Sequence, residues 1–422
     1  MLGSKLFTLL PLLSLASAAS IKLVARQSDN NGTSSGGQYG NGSGNSTNSS
    51  SLVGPYGLYN EQCSNITLSI PINITLSNFT NVDNYYSNQS YITKQFIEFT
   101  TAQSNWTSEH ASGNSTFNLN QTYSIAGYYC TPKQGAKNDS ALLNLLHGIG
   151  FDASYWNYAL APEYSFVKHA ASYGYSTFRY DRLGCGNSET PSNGFDVVRA
   201  QTEVAILREV LTQLRNTTTV GGRQHDKIVG VGHSYGSIQT QAVTMEYPQL
   251  LDGAVLTGFS TNSSNLPGYL QAASYSIANK IFPDRLASKP DTWLVTGSNA
   301  SDIMGFFYPP YYSEASFDLS RSTEQPVTLG SLFTVGKVGG EATNFTGPVH
   351  VVNGAKDFIF CDSNCYAGKN GSDIPSEVKQ LYPQARNFTT YIAENTGHAI
   401  TPHYSQPMVA HEIVTWVQDQ NL

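Results

Sequence analysis

The chain has 422 residues, enough to bury a sizeable core in one large domain or in several smaller ones. Apolar residues make up 40% of it, charged residues only 13%, and the formal net charge is −7. A mildly acidic chain offers no broad basic surface, which excludes nucleic acid as the expected partner.

The first residues have the layout of an export signal. Lys5 gives a positive start, Leu6 to Leu15 form a short apolar run, and Ala16-Ser17-Ala18 is a small-residue cleavage pattern, so residues 1–19 are expected to be removed. The run is far below the ~20 residues of a membrane span. No later stretch reaches that length, and the end, Gln418-Asp419-Gln420-Asn421-Leu422, is polar, so no transmembrane segment is expected. Residues 28–51 are nearly all Ser, Gly, Asn and Thr, and 20–51 is expected to be a disordered linker. About eighteen Asn-x-Ser/Thr acceptors follow one another along the chain, among them Asn65, Asn73, Asn78, Asn88, Asn105, Asn114, Asn216, Asn344 and Asn387. That density predicts a secreted, extracellular protein carrying N-linked glycans. In an oxidising compartment four of the five cysteines can pair. Cys361 and Cys365 are close enough for a local staple, Cys63 and Cys130 could tie the N-terminal region together, and Cys185 is left as a buried thiol. With no second close cysteine pair, no metal is expected, and no cofactor.

Residues 52–135 alternate polar with apolar positions and are read as a β-rich N-terminal region. Strands are predicted at 66–74 and 91–100, and no long helix. From about 139 the texture changes. Apolar strand-like runs at 141–146, 176–180, 227–231, 253–257, 349–352 and 388–392 alternate with helical patterns. Before Lys227, Val204, Leu207, Leu211 and Leu214 share one helical face, and 407–418 closes the chain as a helix. This alternation predicts an α/β domain over 136–422, a mostly parallel sheet with helices on both faces. Residues 259–345 break the rhythm and are read as an inserted cap over the C-terminal edge of the sheet, where ligands bind in such folds. The cap is rich in aromatics, including Tyr269, Tyr275, Trp293, Phe333 and the run Phe306-Phe307-Tyr308-Pro309-Pro310-Tyr311-Tyr312. About half of them are expected to pack internally and the rest to line a cleft.

Gly232-His233-Ser234-Tyr235-Gly236 is a G-x-S-x-G pentapeptide between an apolar strand and a helical pattern. A sharp strand-to-helix turn there would project the Ser234 hydroxyl above the sheet, at a helix N-terminus that favours developing negative charge. A serine needs a base to take its proton. His398 follows the last predicted strand in a loop; His403 in the same loop and His411 in the closing helix are weaker choices. The imidazole needs an orienting carboxylate, and Asp357 lies just after the strand at 349–352, in the chain order Ser, Asp, His, with Asp362 as runner-up. Oxyanion donors are sought in the Gly-rich loop His147-Gly148-Ile149-Gly150, where His147 is read as shaping the loop, and in the N–H of Tyr235.

In these motifs the region from about 139 to the end resembles the α/β-hydrolase family. It is most similar to the secreted lipase- and esterase-like branch found in fungi. Four elements carry the resemblance: His147 through Gly150; Asp181-Arg182-Leu183-Gly184-Cys185-Gly186-Asn187-Ser188; Gly232 through Gly236; and the pair Asp357 and His398. The resemblance implies that the residue after the His-Gly pair, Ile149, donates to the oxyanion, and that the Asp181–Ser188 turn is mainly structural. A triple-glycine oxyanion loop is absent, and the β-rich N-terminal extension falls largely outside the family core. The implied activity is hydrolysis of small-molecule carboxylic esters, neutral and apolar or aromatic, by a Ser-His-Asp triad. An amidase or peptidase on the same triad, and a catalytically silent cell-wall glycoprotein, are the alternatives.

Overall fold

Short runs of Leu, Val and Ile become strands of one sheet, and their length and apolarity follow from burial on both faces. The computed structural model describes residues 54–80, 82, 87–111 and 113–422. The expected export signal and linker lie outside them. In chain order the main elements are β1 (Glu61–Ser77), α1 (Gln89–Thr100), α2 (Trp106–His110), β2 (Thr116–Pro132), β3 (Leu142–Leu146), α3 (Phe166–Ser172), β4 (Ser176–Tyr180), α4 (Gly194–Val197), α5 (Ala200–Asn216), β5 (Ile228–His233), α6 (Tyr235–Glu246), β6 (Gly253–Thr257), α7 (Leu266–Ala273), β7 (Ser276–Ile277), β8 (Trp293–Val295), β9 (Val327–Thr328), β10 (Val349–Gly354) and β11 (Phe388–Ala393). A helix at Gln406–Asp419 closes the chain.

The central sheet has eight strands in the order β1-β2-β4-β3-β5-β6-β10-β11. From β4 to β11 every pair is parallel, and β1-β2 and β2-β4 are antiparallel. Strand alternation splits the interior into two cores. Leu143, Leu145, Val229 and Val231 join α3 and the closing helix on one side. Leu142, Leu146, Ala254 and Leu256 join α5 and α6 on the other. All four residues predicted to share a face of α5 are buried in the second core.

The β-rich N-terminal extension continues this sheet. β1 and β2 form a 17-residue ladder, and β2 docks on β4 through Gly127 to Cys130. The strand predicted at 91–100 is instead helix α1. The Asn88 side chain caps it by accepting from the N–H groups of Ser90 and Tyr91, and its buried residues Ile92, Gln95 and Phe96 recur at helical spacing. Between β6 and β10 the chain leaves the sheet and forms helices around a small antiparallel sheet, β7-β8-β9. Helix α1 packs against this insertion, with Phe96 stacked on Tyr275 at 5.5 Å and Phe99 on Phe333 at 4.3 Å. Disulfides join Cys63 to Cys130 and Cys361 to Cys365, and Cys185 is a buried free thiol.

Candidate active site

β5 ends at His233 and α6 begins at Tyr235, so Ser234 alone makes the turn, with φ 53° and ψ −115°. Such a backbone costs a non-glycine residue ~1–3 kcal/mol and persists only where its surroundings enforce it. Here the Ser234 N–H donates to the Thr257 carbonyl at 2.8 Å, which ties the turn to β6. Two glycines make room. A Cβ on Gly236 would meet the Leu146 carbonyl oxygen at 2.3 Å, and one on Gly148 would lie 3.0 Å from the Ser234 Cβ.

His398 Nε2 is 2.7 Å from Ser234 Oγ, and His398 Nδ1 is 2.8 Å from Asp357 Oδ2. The other carboxylate oxygen of Asp357 accepts from the N–H groups of Ile359 and Phe360, each at 2.9 Å, where Asp357 caps the short helix Phe358–Cys361. With both oxygens occupied and no exposed surface, the carboxylate is held in one orientation. Asp362 ends the same turn in a left-handed conformation and is exposed. The Cys361–Cys365 disulfide closes the loop behind Asp357.

The competing histidines have other partners. His403 Nε2 accepts from the N–H groups of Tyr308 and Gly397, and its Nδ1 lies 2.6 Å from the Ala399 carbonyl. That pattern requires a neutral ring, and burial pushes its pKa down to about 4. It fixes the peptide on either side of His398. His411 meets the Tyr173 hydroxyl on the closing helix. His233 stacks on Tyr155 at 4.4 Å and lies 5.1 Å from the His398 ring. Burial, then the His398 and His147 rings, hold it well below the ordinary histidine range.

Below Ser234 lies a buried ionic cluster to which sequence reasoning assigns no role beyond a turn. Arg182 contacts both carboxylate oxygens of Glu203, at 2.9 and 3.0 Å, and donates to the Gly148 carbonyl at 3.3 Å. Its guanidinium lies over the Tyr235 ring at 4.9 Å, and its backbone N–H donates to His147 Nε2 at 3.0 Å. Arg182 thus ties the loop at Gly148 to the first turn of α6. The available signal was Glu203, an acid on the apolar stripe of α5, which demands a buried cation.

Ser234 opens on a narrow cleft of about 40 Å³. Ile149 and Tyr235, the expected oxyanion donors, border it together with Ile238, Leu266, Tyr269, Leu270, Ser331, Leu332, Val335, Ile359 and Phe360. Among the described residues lining it there is no charged side chain. Of the insertion's aromatics only Tyr269 reaches the cleft, which corrects the expectation that about half would. Phe306 stacks beside His398 at 6.1 Å, while Trp293 sits against Gly184 and Phe333 against α1 and α2. These rings fill the interior together with buried aliphatic residues such as Ile277, Leu294, Val327 and Leu329. Two of the insertion's acids, Asp302 and Glu324, are also turned inward. Arg321 pairs with Glu324 and, at 4.0 Å, with Asp302, and Thr296 donates to both carboxylates. Burial raises Glu324 to about 8 and Asp302 to about 6, against the opposing charge of Arg321.

Among solved structures the chain is similar to an esterase from Thermogutta terrifontis, with TM-score 0.49 and 14% identity over 71% of this chain and 95% of that one. It is also similar to a monoacylglycerol lipase from Paleococcus ferrophilus, with TM-score 0.44 and 15% identity over 70% and 99%. In sequence it is 34% identical over 97 residues to the proline iminopeptidase of Saccharolobus solfataricus. That stretch is 23% of this chain, and the chain spans only 27% of the relative's length. The model of the alpha/beta hydrolase family matches residues 145–410, well over half of the chain from the end of β3 into the closing helix, and the chain belongs to that family.

Proposed function

We propose that this chain is a secreted, N-glycosylated carboxylic ester hydrolase in which Ser234 is the nucleophile, His398 the general base and Asp357 the orienting acid. The observation that carries the reading is the unbroken line of contacts from Ser234 Oγ through both ring nitrogens of His398 to Asp357, at 2.7 and 2.8 Å. His398 takes the hydroxyl proton as Ser234 attacks the acyl carbon, and returns it to the departing alcohol. Tyr235 opens α6, so its N–H has no acceptor within the helix and is available to the oxyanion beside the N–H of Ile149. Water, activated by the same imidazole, then releases the acid.

The uncharged, narrow cleft supports a neutral substrate with an apolar or aromatic group of modest size. Export and glycosylation are supported by the two disulfides, and by the sequon asparagines, which are all exposed or half-buried among the described residues. Cleavage of amides or peptides is the second reading, favoured by the partial match to a proline iminopeptidase. A free amine would need an acid in the cleft, and Asp302 and Glu324 are engaged with Arg321 and Thr296 instead. Labelling of the secreted protein with a fluorophosphonate tests the nucleophile. A matched set of p-nitrophenyl esters and p-nitroanilides then separates the two reactions. Rapid labelling at Ser234 with faster turnover of esters is expected. No labelling would return the chain to a silent glycoprotein, and preference for an aminoacyl anilide would make it a peptidase.

A further inference from the structure

The central sheet ends on β1, a 17-residue strand with no neighbouring strand on its outer side among the described residues. Three observations show which residues turn their backbone groups to that open side. Cys63 and Cys130 face each other with Cα atoms 4.1 Å apart, the close spacing of a pair that exchanges no ladder bonds. The Ser69 and Ser77 carbonyls accept from side chains outside the ladder, Gln213 and Arg199. Pro71, which has no N–H to offer, has the same parity. The odd-numbered residues of β1 therefore present the open edge, and their side chains lie on the exposed face.

Such an edge invites pairing with a second copy, and proteins usually blunt it with charge. Residues 62–77 carry no Asp, Glu, Lys or Arg at all. They carry two sequons instead, Asn65-Ile66-Thr67 and Asn73-Ile74-Thr75. Both asparagines are odd-numbered and exposed. Asn73 lies directly opposite Asn120, itself an exposed sequon on β2.

Building on the reading of the chain as exported and glycosylated, we infer that Asn65 and Asn73 are glycosylation sites whose carbohydrate closes the β1 edge against pairing with a second copy of this chain. A branched glycan at either position is bulky, strongly hydrated and fixed beside the exposed N–H and C=O groups. It does here what a row of lysines does elsewhere.

The test compares wild-type protein from a eukaryotic secretory host with three double variants: Asn65→Gln/Asn73→Gln, Thr67→Ala/Thr75→Ala and Thr67→Lys/Thr75→Lys. All three abolish both sequons, and the last also puts charge on the bare edge. Glycopeptide mass spectrometry reads occupancy, light scattering reads mass, and a cooperative thermal transition confirms folding. Occupied sites, a monomeric wild type, at least a doubling of mass in the Gln and Ala variants and a monomeric Lys variant are expected. Vacant Asn65 and Asn73 with other sequons occupied would overturn this inference alone. So would folded Gln and Ala variants that stay monomeric. Absence of glycan at every sequon would overturn the export reading as well.

Discussion

The C-terminal edge of the sheet and the insertion above it treat polar groups in opposite ways. At the sheet edge Ser234, His398 and Asp357 point toward one another, Asp357 is held by backbone N–H groups, the Ser234 N–H is tied to Thr257, and the serine remains at the cleft. In the insertion Glu324 and Asp302 pair with Arg321 in the interior, and Leu266, Leu270, Leu332 and Val335 border the same cleft. The contrast separates two tasks. On the proposed reading, bond-making chemistry would come from the sheet and discrimination from the insertion, whose uncharged side chains border the cleft.

If that division holds, the largest effects fall on the sheet side. Ser234→Ala should lower kcat/KM for an ester by roughly a thousandfold or more with folding intact, since the triad acts as a unit. A variant retaining most of its rate would remove the elbow from the reaction. Asp357→Asn should cost on the order of ten-thousandfold in kcat by leaving the imidazole in the wrong tautomer, and Asp362→Asn next to nothing. Equal losses at the two positions would deny the assignment. Arg182→Lys keeps the charge but not the planar fork that reaches Glu203 and Gly148 together. Its expected cost is about 10- to 100-fold in kcat with KM little changed, because a displaced Gly148–Ile149 peptide misplaces an oxyanion donor. A change confined to KM would place Arg182 outside that role.

Insertion-side changes should be smaller and of another kind. Leu332→Ala widens the cleft, so each further methylene on the substrate should gain up to ~0.8 kcal/mol, about fourfold in kcat/KM, until the space is filled. An unchanged chain-length profile would separate Leu332 from substrate choice. Glu324→Gln should alter stability and its pH dependence rather than rate. A carboxyl raised from 4.5 to about 8 on folding contributes stability that is whole below 4.5 and is lost as pH rises through about 8. The thermal midpoint of the wild type should therefore fall relative to that of the Gln variant between pH 5 and pH 9. Parallel curves would show that Glu324 does not titrate in that window.

Much of the sheet side was legible in the sequence because its signals are local. Buried parallel strands are unbroken apolar runs, and the strands at 176–180 and 253–257 match their predicted bounds. The elbow is written in five consecutive residues, and Asp357 and His398 follow from chain order. The insertion side was less legible because its meaning is tertiary. Tyr91 to Thr100 is dense in β-branched and aromatic residues, which favours a strand, yet the Asn88 cap and packing against Tyr275 and Phe333 make it a helix. The cleft wall combines Leu266 and Leu270 with Ser331, Leu332 and Val335 and with Ile359 and Phe360, from three separate segments, and no local pattern joins them.

Leu332 and Phe333 are neighbours in one short helical turn that looks in two directions. Leu332 borders the cleft, while Phe333 stacks on Phe99 at 4.3 Å and meets Trp106 at 4.6 Å. One peptide bond therefore separates the cleft wall from a helix pair encoded before the segment that the family model matches. The upstream segment is no detachable appendage, and a truncation at residue 139 would strip the support from one wall of the cleft. On the proposed reading, heritable variation at Phe99 or Trp106 would reshape substrate preference from outside the cleft, a route to divergence that leaves the Ser234, Asp357 and His398 motifs untouched.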